Sequence, residues 1–119
     1  MVRRRGRGEL ESEVMAALWA AETPMTATAV QAALGDGLAY NTVQTILIRL
    51  LDKGAVRREP VGRGHAYWPV RDAATTAADR MRAALDGRPD RRAVLQQFAA
   101  GLDPDDALTL RELLQKRSQ

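Results

Sequence analysis

The chain has 119 residues, of which 45% are hydrophobic and 4% aromatic, with no cysteine and one histidine. This length suits one ordinary domain, or a small domain with an appendage that needs a partner to fold on. The missing cysteines exclude a disulfide scaffold, a cysteine nucleophile and a thiolate metal site, and one histidine leaves no structural zinc site.

The formal net charge of +3 permits nucleic-acid binding without requiring it, so the placement of charges has to decide. No apolar run approaches the roughly 20 residues that a membrane span needs. The basic N-terminus is not followed by an apolar stretch, and it is therefore not a secretory signal. We expect a soluble, cytoplasmic protein that contains no cofactor or metal.

Residues 1–8 are predicted to form a flexible arm, because they carry arginines at positions 3, 4, 5 and 7 with glycines at positions 6 and 8. Two interpretations remain open for this arm. It is either a solvated tail or a segment that touches phosphates or the minor groove of DNA.

The next segment, residues 9–70, is predicted to be a DNA-binding domain that begins with two helices. Apolar residues at helical spacing predict a first helix from Leu10 to Ala21, with Trp19 packed in the core. Thr26 is placed to cap a second helix, and residues 35–37, Gly-Asp-Gly, turn the chain toward a third. The expected buried side of the second helix consists of Ala29, Val30, Ala33 and Leu34.

The third helix lies within residues 39–54, AYNTVQTILIRLLDKG, and Gly54 ends it. Its apolar stripe repeats at i, i+3, i+4, i+7 and i+8: Val43, Ile46, Leu47, Leu50 and Leu51. The other side is rich in amides and hydroxyls, which bind base edges and phosphates: Asn41, Thr42, Gln44, Thr45, Arg49 and Asp52. Ile48 lies among these polar residues, where it suits contact with a thymine methyl group. This pattern predicts a DNA recognition helix.

Two short strands follow, Ala55–Glu59 and His65–Val70, with Pro60 and residues 62–64 in the turn between them. A hairpin directly after a recognition helix is typical of a wing. Arg63 is expected at its tip, within reach of a groove or phosphate, and His65 is a weaker candidate donor to a phosphate. The alternative is a plain exposed hairpin with no DNA contact.

Residues 71–119 are predicted to be helical, with segments at Asp72–Leu85, Asp90–Ala100 and a last helix capped by Asp103 and Pro104. Three short helices with narrow apolar stripes bury little by themselves, so we expect them to pair with an identical copy. The alternative is that they pack back on residues 9–70. The candidate dimerisation residues are Met81, Leu85, Phe98, Leu110, Leu113 and Leu114. The expected fold is therefore mainly α with a small β-hairpin wing: a winged helix-turn-helix domain followed by a helical dimerisation region.

Three groups of residues resemble a known family. They are LESEVM at 10–15 with LW at 18–19, AYNTVQTILIRL at 39–50 with KG at 53–54, and AYWPV at 66–70. Together they resemble the penicillinase repressor family, the BlaI/MecI type of winged-helix repressor, over most of the chain from Leu10 onward.

The resemblance implies a homodimer that binds inverted-repeat operators and blocks transcription, commonly of β-lactamase genes. It places Asn41, Thr42, Gln44, Thr45 and Arg49 on the DNA-contacting helix and assigns dimerisation to the C-terminal helices. It also implies a sensor protease, for which the matching bond is Gln97–Phe98, although the relatives carry asparagine before the phenylalanine. The alternative is that Phe98 is an ordinary core residue.

Two other classes of function remain as alternatives. A winged-helix module that binds proteins and never reads DNA is compatible with the modest charge and with Ile48. An enzyme is disfavoured, because His65 has no evident nucleophile or orienting carboxylate beside it, and no glycine-rich phosphate loop or cluster of metal ligands occurs.

Overall fold

The computed structural model describes residues 6–35 and 37–118, without the side chain of Arg7. Its elements, in chain order, are α1 (Arg7–Ala20), β1 (Met25–Thr26), α2 (Ala27–Leu34), α3 (Tyr40–Asp52), β2 (Val56–Val61), β3 (Gly64–Pro69), α4 (Ala73–Ala83), α5 (Arg91–Gly101) and α6 (Pro104–Arg117). This order confirms a mainly helical fold with a winged helix and C-terminal helices. Of the arm predicted at residues 1–8, the first five residues lie outside the described residues. So do Asp36 of the predicted turn and Gln119.

The core of the winged helix lies between the first three helices and one face of the sheet. The apolar stripe predicted for α3 is confirmed, since four of its members are buried and Leu51 is half-buried. Trp19 packs against this core, as expected. The buried residues of the core are Val14, Met15, Leu18, Ala27, Val30, Val43, Ile46, Leu47, Leu50, Val56 and Tyr67.

The first two helices differ from the prediction in detail. Helix α1 begins at Arg7, inside the segment predicted as an arm. In α2 the prediction that Ala29 and Ala33 are buried is wrong, because both are exposed and the core contacts come from Ala27 and Val30. An eight-residue helix with so many alanines offers several equivalent stripes, and only packing against α1 and α3 selects one of them.

The sheet has three antiparallel strands in the order β1-β3-β2, and its first strand was not predicted. Strand β1 has two residues, too few to produce an alternating pattern, and it pairs Met25 with Tyr67. Pro60, predicted in the turn, instead lies in β2 opposite His65. Because β2 is an edge strand, a residue without an N–H is tolerated there. The wing turn is therefore tighter than expected and contains Gly62 and Arg63.

Local hydrogen bonds define the ends of α2 and α3. The Thr26 hydroxyl accepts a hydrogen bond from the Ala29 N–H at 3.1 Å, which confirms the predicted cap. Between the helices, the Gln31 side-chain amide donates to the Leu38 carbonyl at 2.8 Å. After α3, Gly54 adopts a φ of 78°, a left-handed conformation that favours glycine.

The chain divides into two compact units, Met1–Ala78 and Asp79–Gln119. In the second unit, Asp103 caps α6 through the Asp106 N–H at 2.8 Å, as predicted. The predicted helix ends shift slightly here: α4 ends at Ala83, and Gly101 is the last residue of α5. Among the residues that the structure describes, no helix combines the length and the apolar character that crossing a bilayer requires.

Candidate nucleic-acid interface

Helix α3 has one face in the core and the opposite face open to solvent. The open face runs along positions i, i+4, i+7 and i+11, which are Asn41, Thr45, Ile48 and Asp52, and all four are exposed. Ile48 is 41% exposed, although the opposite side of the same helix is buried in the core. An amide, a hydroxyl and a branched aliphatic side chain therefore form one continuous outward row.

The hydroxyl of Thr45 is already engaged within the helix. It donates to the Asn41 carbonyl, four residues earlier, at 2.8 Å. Since the hydroxyl hydrogen is used within the helix, Thr45 offers an external binding partner its methyl group and the remaining acceptor capacity of its oxygen. With Ile48 one turn further on, the middle of the row is mainly apolar.

The flanks of this row are less open than its centre. Thr42 is exposed, whereas Gln44 and Arg49 are half-buried. Both of the half-buried side chains are long, and a long polar side chain can pack its stem on the protein while its polar end reaches solvent. The sequence-predicted residues of α3 thus lie on one side of one helix, with Thr42, Gln44 and Arg49 at its borders.

The N-terminus of α3 has no side-chain cap. Ala39 occupies the N-cap position, and no acidic residue occurs in the first turn. The first N–H groups of a helix have no partner within the helix, and they carry a partial positive charge that favours anions. This end of α3 is therefore compatible with a phosphate group of DNA.

Two contacts hold the C-terminal end of α3 against the rest of the domain. The Lys53 ammonium binds both carboxylate oxygens of Glu11 on α1, at 3.0 and 2.9 Å. The Ala55 N–H donates to the Leu50 carbonyl at 2.9 Å, which leads the chain from the helix into β2. Together with the buried stripe, these contacts fix how far α3 protrudes from the domain.

The wing places Arg63 at its tip, where the residue is exposed, as predicted. Gly62, which precedes it, has a φ of 57° that suits a tight two-residue hairpin turn. His65 is half-buried on β3, and its ring centroid lies 6.4 Å from that of Tyr67. His65 lies two residues after Arg63 and opposite Pro60, in the second-to-last strand pair before the wing turn.

Sequence reasoning missed two further cations on the wing, Arg57 and Arg58 on strand β2. Both are exposed, and the Arg58 guanidinium donates to the Tyr67 hydroxyl at 3.4 Å. Arg57 and Arg58 are adjacent in β2, so their side chains point to opposite faces of the sheet. Two adjacent arginines in a predicted wing strand were the available signal. With Arg63 they give the wing three cations against the single carboxylate of Glu59.

Perturbed ionisation occurs away from this surface. The Thr75 N–H donates to Asp72 at 2.7 Å and lowers the pKa of that carboxyl. The ion pair between Arg88 and Asp90 lowers the pKa of the acid and raises the pKa of the base. All three groups are fully exposed and lie outside α3 and the wing, so they contribute nothing to the interface.

The helices of the second unit expose apolar side chains. A cavity of about 360 Å³ between α4 and α5 is lined by Met81, Leu85 and Phe98 together with Val94 and Leu95. On α6, Leu110, Leu113 and Leu114 are 38%, 57% and 53% exposed. Of the predicted dimerisation residues, Met81, Phe98, Leu110, Leu113 and Leu114 are exposed, and Leu85 is half-buried.

Comparison with known proteins places these features in context. The family model described as penicillinase repressor matches residues 7–116. The transcriptional regulator BlaI of Mycobacterium tuberculosis, in strains CDC 1551 / Oshkosh and ATCC 25618 / H37Rv, is 38% identical over 112 residues, which cover 90% of this chain and 81% of that protein. Among solved structures, the PcaV transcriptional regulator from Streptomyces coelicolor, in complex with its natural ligand, aligns with a TM-score of 0.49 and 21% identity over 92% of this chain and 72% of that chain. A TM-score below 0.5 supports no functional argument.

Proposed function

We propose that this chain, which belongs to the penicillinase repressor family, binds palindromic operators as a homodimer. The family match over residues 7–116 and the 38% identity to BlaI make it a BlaI-type transcriptional repressor, a DNA-binding winged-helix regulator and not an enzyme. Repressors of this family bind operator DNA, so the alternative of a module that never binds DNA is excluded. We further propose which residues read DNA, which surface forms the dimer and how repression is released.

The outward row of α3 is the observation that carries the assignment of DNA-reading residues. Its centre, Thr45 and Ile48, is exposed on a helix whose other side supplies a large part of the core. A single helix presented in this way fits the major groove, which is about 12 Å wide. Asn41 and Gln44 would then read base edges, since amides pair well with adenine, and the methyl groups would meet thymine.

The wing and the ends of α3 supply the contacts to the backbone. Arg63 at the wing tip and the uncapped N-terminus of α3 both offer positive charge. Phosphate contacts position the protein and make its affinity depend on salt, without reading sequence. Arg49 is placed at the border of the row for the same purpose, and His65 is a minor contributor because of its half-buried position.

The exposed apolar surfaces of α4, α5 and α6 support the proposed homodimer. Covering Met81, Phe98 and Leu113 by a second copy would remove their apolar area from water, worth about 25 cal/mol for each Å². A two-fold dimer brings two α3 helices to two half-sites of one operator. Occupying a promoter in this way blocks transcription sterically. Because such a repressor acts on chromosomal operators, we place it in the cytoplasm.

A sensor protease that cleaves the chain within α5 would release repression. The candidate bond between Gln97 and Phe98 lies in the middle of α5, and both residues are exposed. A protease that binds its substrate in an extended conformation would have to unwind this helix first. Cleavage at this bond would separate α4 and the first part of α5 from the rest of α5 and from α6. The exposed apolar surface would then be divided between two fragments, which would weaken the dimer.

A selection experiment tests the proposed reading of DNA. Fragments of the source genome that the protein retains are sequenced, and binding to a retained fragment and to a scrambled duplex is measured by gel shift across salt concentrations. Arg63→Ala is expected to weaken binding to both duplexes and to lower the salt dependence. Gln44→Ala is expected to reduce the preference for the retained fragment by about 1–3 kcal/mol.

Arg117→Ala serves as the control, because it removes an exposed arginine from the end of α6, outside α3 and the wing. An unchanged preference in Gln44→Ala, Thr45→Ala and Ile48→Ala alike would refute the assignment of α3 as the reading helix.

A further inference from the structure

The first unit contains a concave surface, lined by no residue of α3, that the DNA-binding proposal does not use. This cleft has a volume of about 520 Å³ and lies beside the end of α1, strand β3 and the residues that follow β3. Both tryptophans of the chain, Trp19 and Trp68, line it. Leu18, which is 2% exposed, contributes to its inner wall.

Carboxylates dominate the charge around this cleft. Glu22, Glu59 and Asp72 line it, and all three are exposed at its rim. The hydrogen bond from the Thr75 N–H lowers the pKa of Asp72, which keeps that carboxylate ionised. Two guanidinium groups are nearby: Arg71 on the rim, and Arg57, opposite Trp68 in the strand register. Negative charge prevails at the rim of a protein whose net charge is positive.

A surface with this charge does not suit a phosphate backbone, and it does suit a cation. An indole ring attracts a positive charge over its face, and tryptophan is the strongest of the aromatic side chains in this respect. The apolar wall favours a ligand with a hydrocarbon part, and the carboxylates favour its charged part. We propose that this cleft binds a small organic cation with an aromatic or aliphatic body.

The position of the cleft connects it to the segment that leaves the winged helix. The Trp19 indole N–H donates to the Arg71 carbonyl at 2.9 Å, so the same tryptophan that lines the cleft also holds the chain just before α4. A ligand that packs on Trp19 therefore contacts the donor residue of this hydrogen bond. Binding of the cation would therefore change the environment of the residues that lead into α4.

The two tryptophans allow the site to be observed directly. The full-length, DNA-free protein is labelled with ¹⁵N and titrated with benzyltrimethylammonium, and the two indole N–H resonances are followed. We expect both resonances to shift along one saturable curve. Neopentylbenzene, in which carbon replaces the charged nitrogen, and benzoate are expected to bind at least about tenfold more weakly. Because no DNA is present, the outcome is independent of the proposed operator binding.

Matched variants identify the groups responsible. The double variant Glu22→Gln/Glu59→Gln is expected to weaken binding of the cation several-fold, and Glu112→Gln on α6 is expected to leave it unchanged. Backbone amide resonances outside the cleft show whether each variant is folded. The proposal is overturned if neither indole resonance shifts saturably, or if the cation, the neutral analogue and benzoate bind equally well.

Discussion

At the scale of single residues, the polar side of α3 is less polar than its composition indicates. A threonine in a recognition helix is ordinarily counted as a hydrogen-bond donor to bases. Here the Thr45 hydroxyl donates to the Asn41 carbonyl, and its methyl group and the two acceptor lone pairs of its oxygen remain. The sequence could predict that Thr45 faces outward, because the helical period determines that. It could not predict which of its atoms is available, because this depends on the side-chain rotamer.

This difference leads to a prediction for two substitutions at the same position. Thr45→Val keeps the methyl group and should retain the preference for the operator, whereas Thr45→Ser loses the methyl group and should reduce it by about 0.8 kcal/mol. The ratio of the dissociation constants for operator and scrambled duplexes measures this preference. A loss in Thr45→Val with none in Thr45→Ser would assign the reading to the hydroxyl instead.

At the scale of elements, a helix with a regular apolar repeat and helix ends with a capping residue could be predicted from the sequence. Short or ambiguous segments could not. The stripe of α3, the Thr26 cap and the Asp103 cap follow from local rules and are present. Strand β1 could not be predicted, because a two-residue strand exists only through its pairing with β3. The position of Pro60 in β2 depends on which strand lies at the edge of the sheet, and that is a property of the whole fold.

Gly54, which joins α3 to the wing, provides a test at this scale. Its φ of 78° is unfavourable for residues with a Cβ, although a Cβ there would meet no atom within 4 Å. Gly54→Ala should therefore lower the free energy of unfolding by about 1–2 kcal/mol through backbone strain alone. Gly54→Asn should cost less, because asparagine tolerates this conformation better.

Urea denaturation of the variants measures this cost. The control is Gly101→Ala, since Gly101 lies in α5 without a positive φ and a Cβ there also meets nothing within 4 Å. Alanine is favoured over glycine in a helix, so this control should be neutral or stabilising by up to about 1 kcal/mol. Equal destabilisation by both alanine substitutions would contradict the strain explanation.

At the scale of the whole molecule, the two compact units of the chain differ in how much of their apolar side chains they bury. The first unit has a buried core and exposes polar groups on α3 and the wing. Helices α5 and α6 of the second unit contain no buried residue, and their apolar side chains are open. Sequence reasoning predicted this imbalance from the narrow apolar stripes. It could not determine what covers them, because a single chain does not contain its partner.

The proposed dimer predicts the effect of placing charge on this surface. Phe98→Glu should shift the protein from dimer to monomer in sedimentation velocity, because pairing would bury an unpaired carboxylate. Affinity for the operator should fall with it, while weak binding to any DNA at low salt should persist through α3 and the wing. Circular dichroism controls for loss of helix.

The matched variant is Lys116→Glu. Lys116 lies on the exposed end of α6, outside the apolar surfaces, and its substitution changes the charge by two units while Phe98 is kept. The dimer assignment would be wrong if Phe98→Glu remained dimeric with full affinity.

Footprinting of a retained genomic fragment tests the central claim most directly, which is that paired α3 helices lie in the major groove. Protection of guanine N7, an atom of the major groove, reports the position of each helix. We predict two protected patches related by two-fold symmetry, on one face of the DNA and centred about one helical turn or slightly more apart. A single unsymmetrical patch, or a retained fragment with no major-groove protection, would contradict the account.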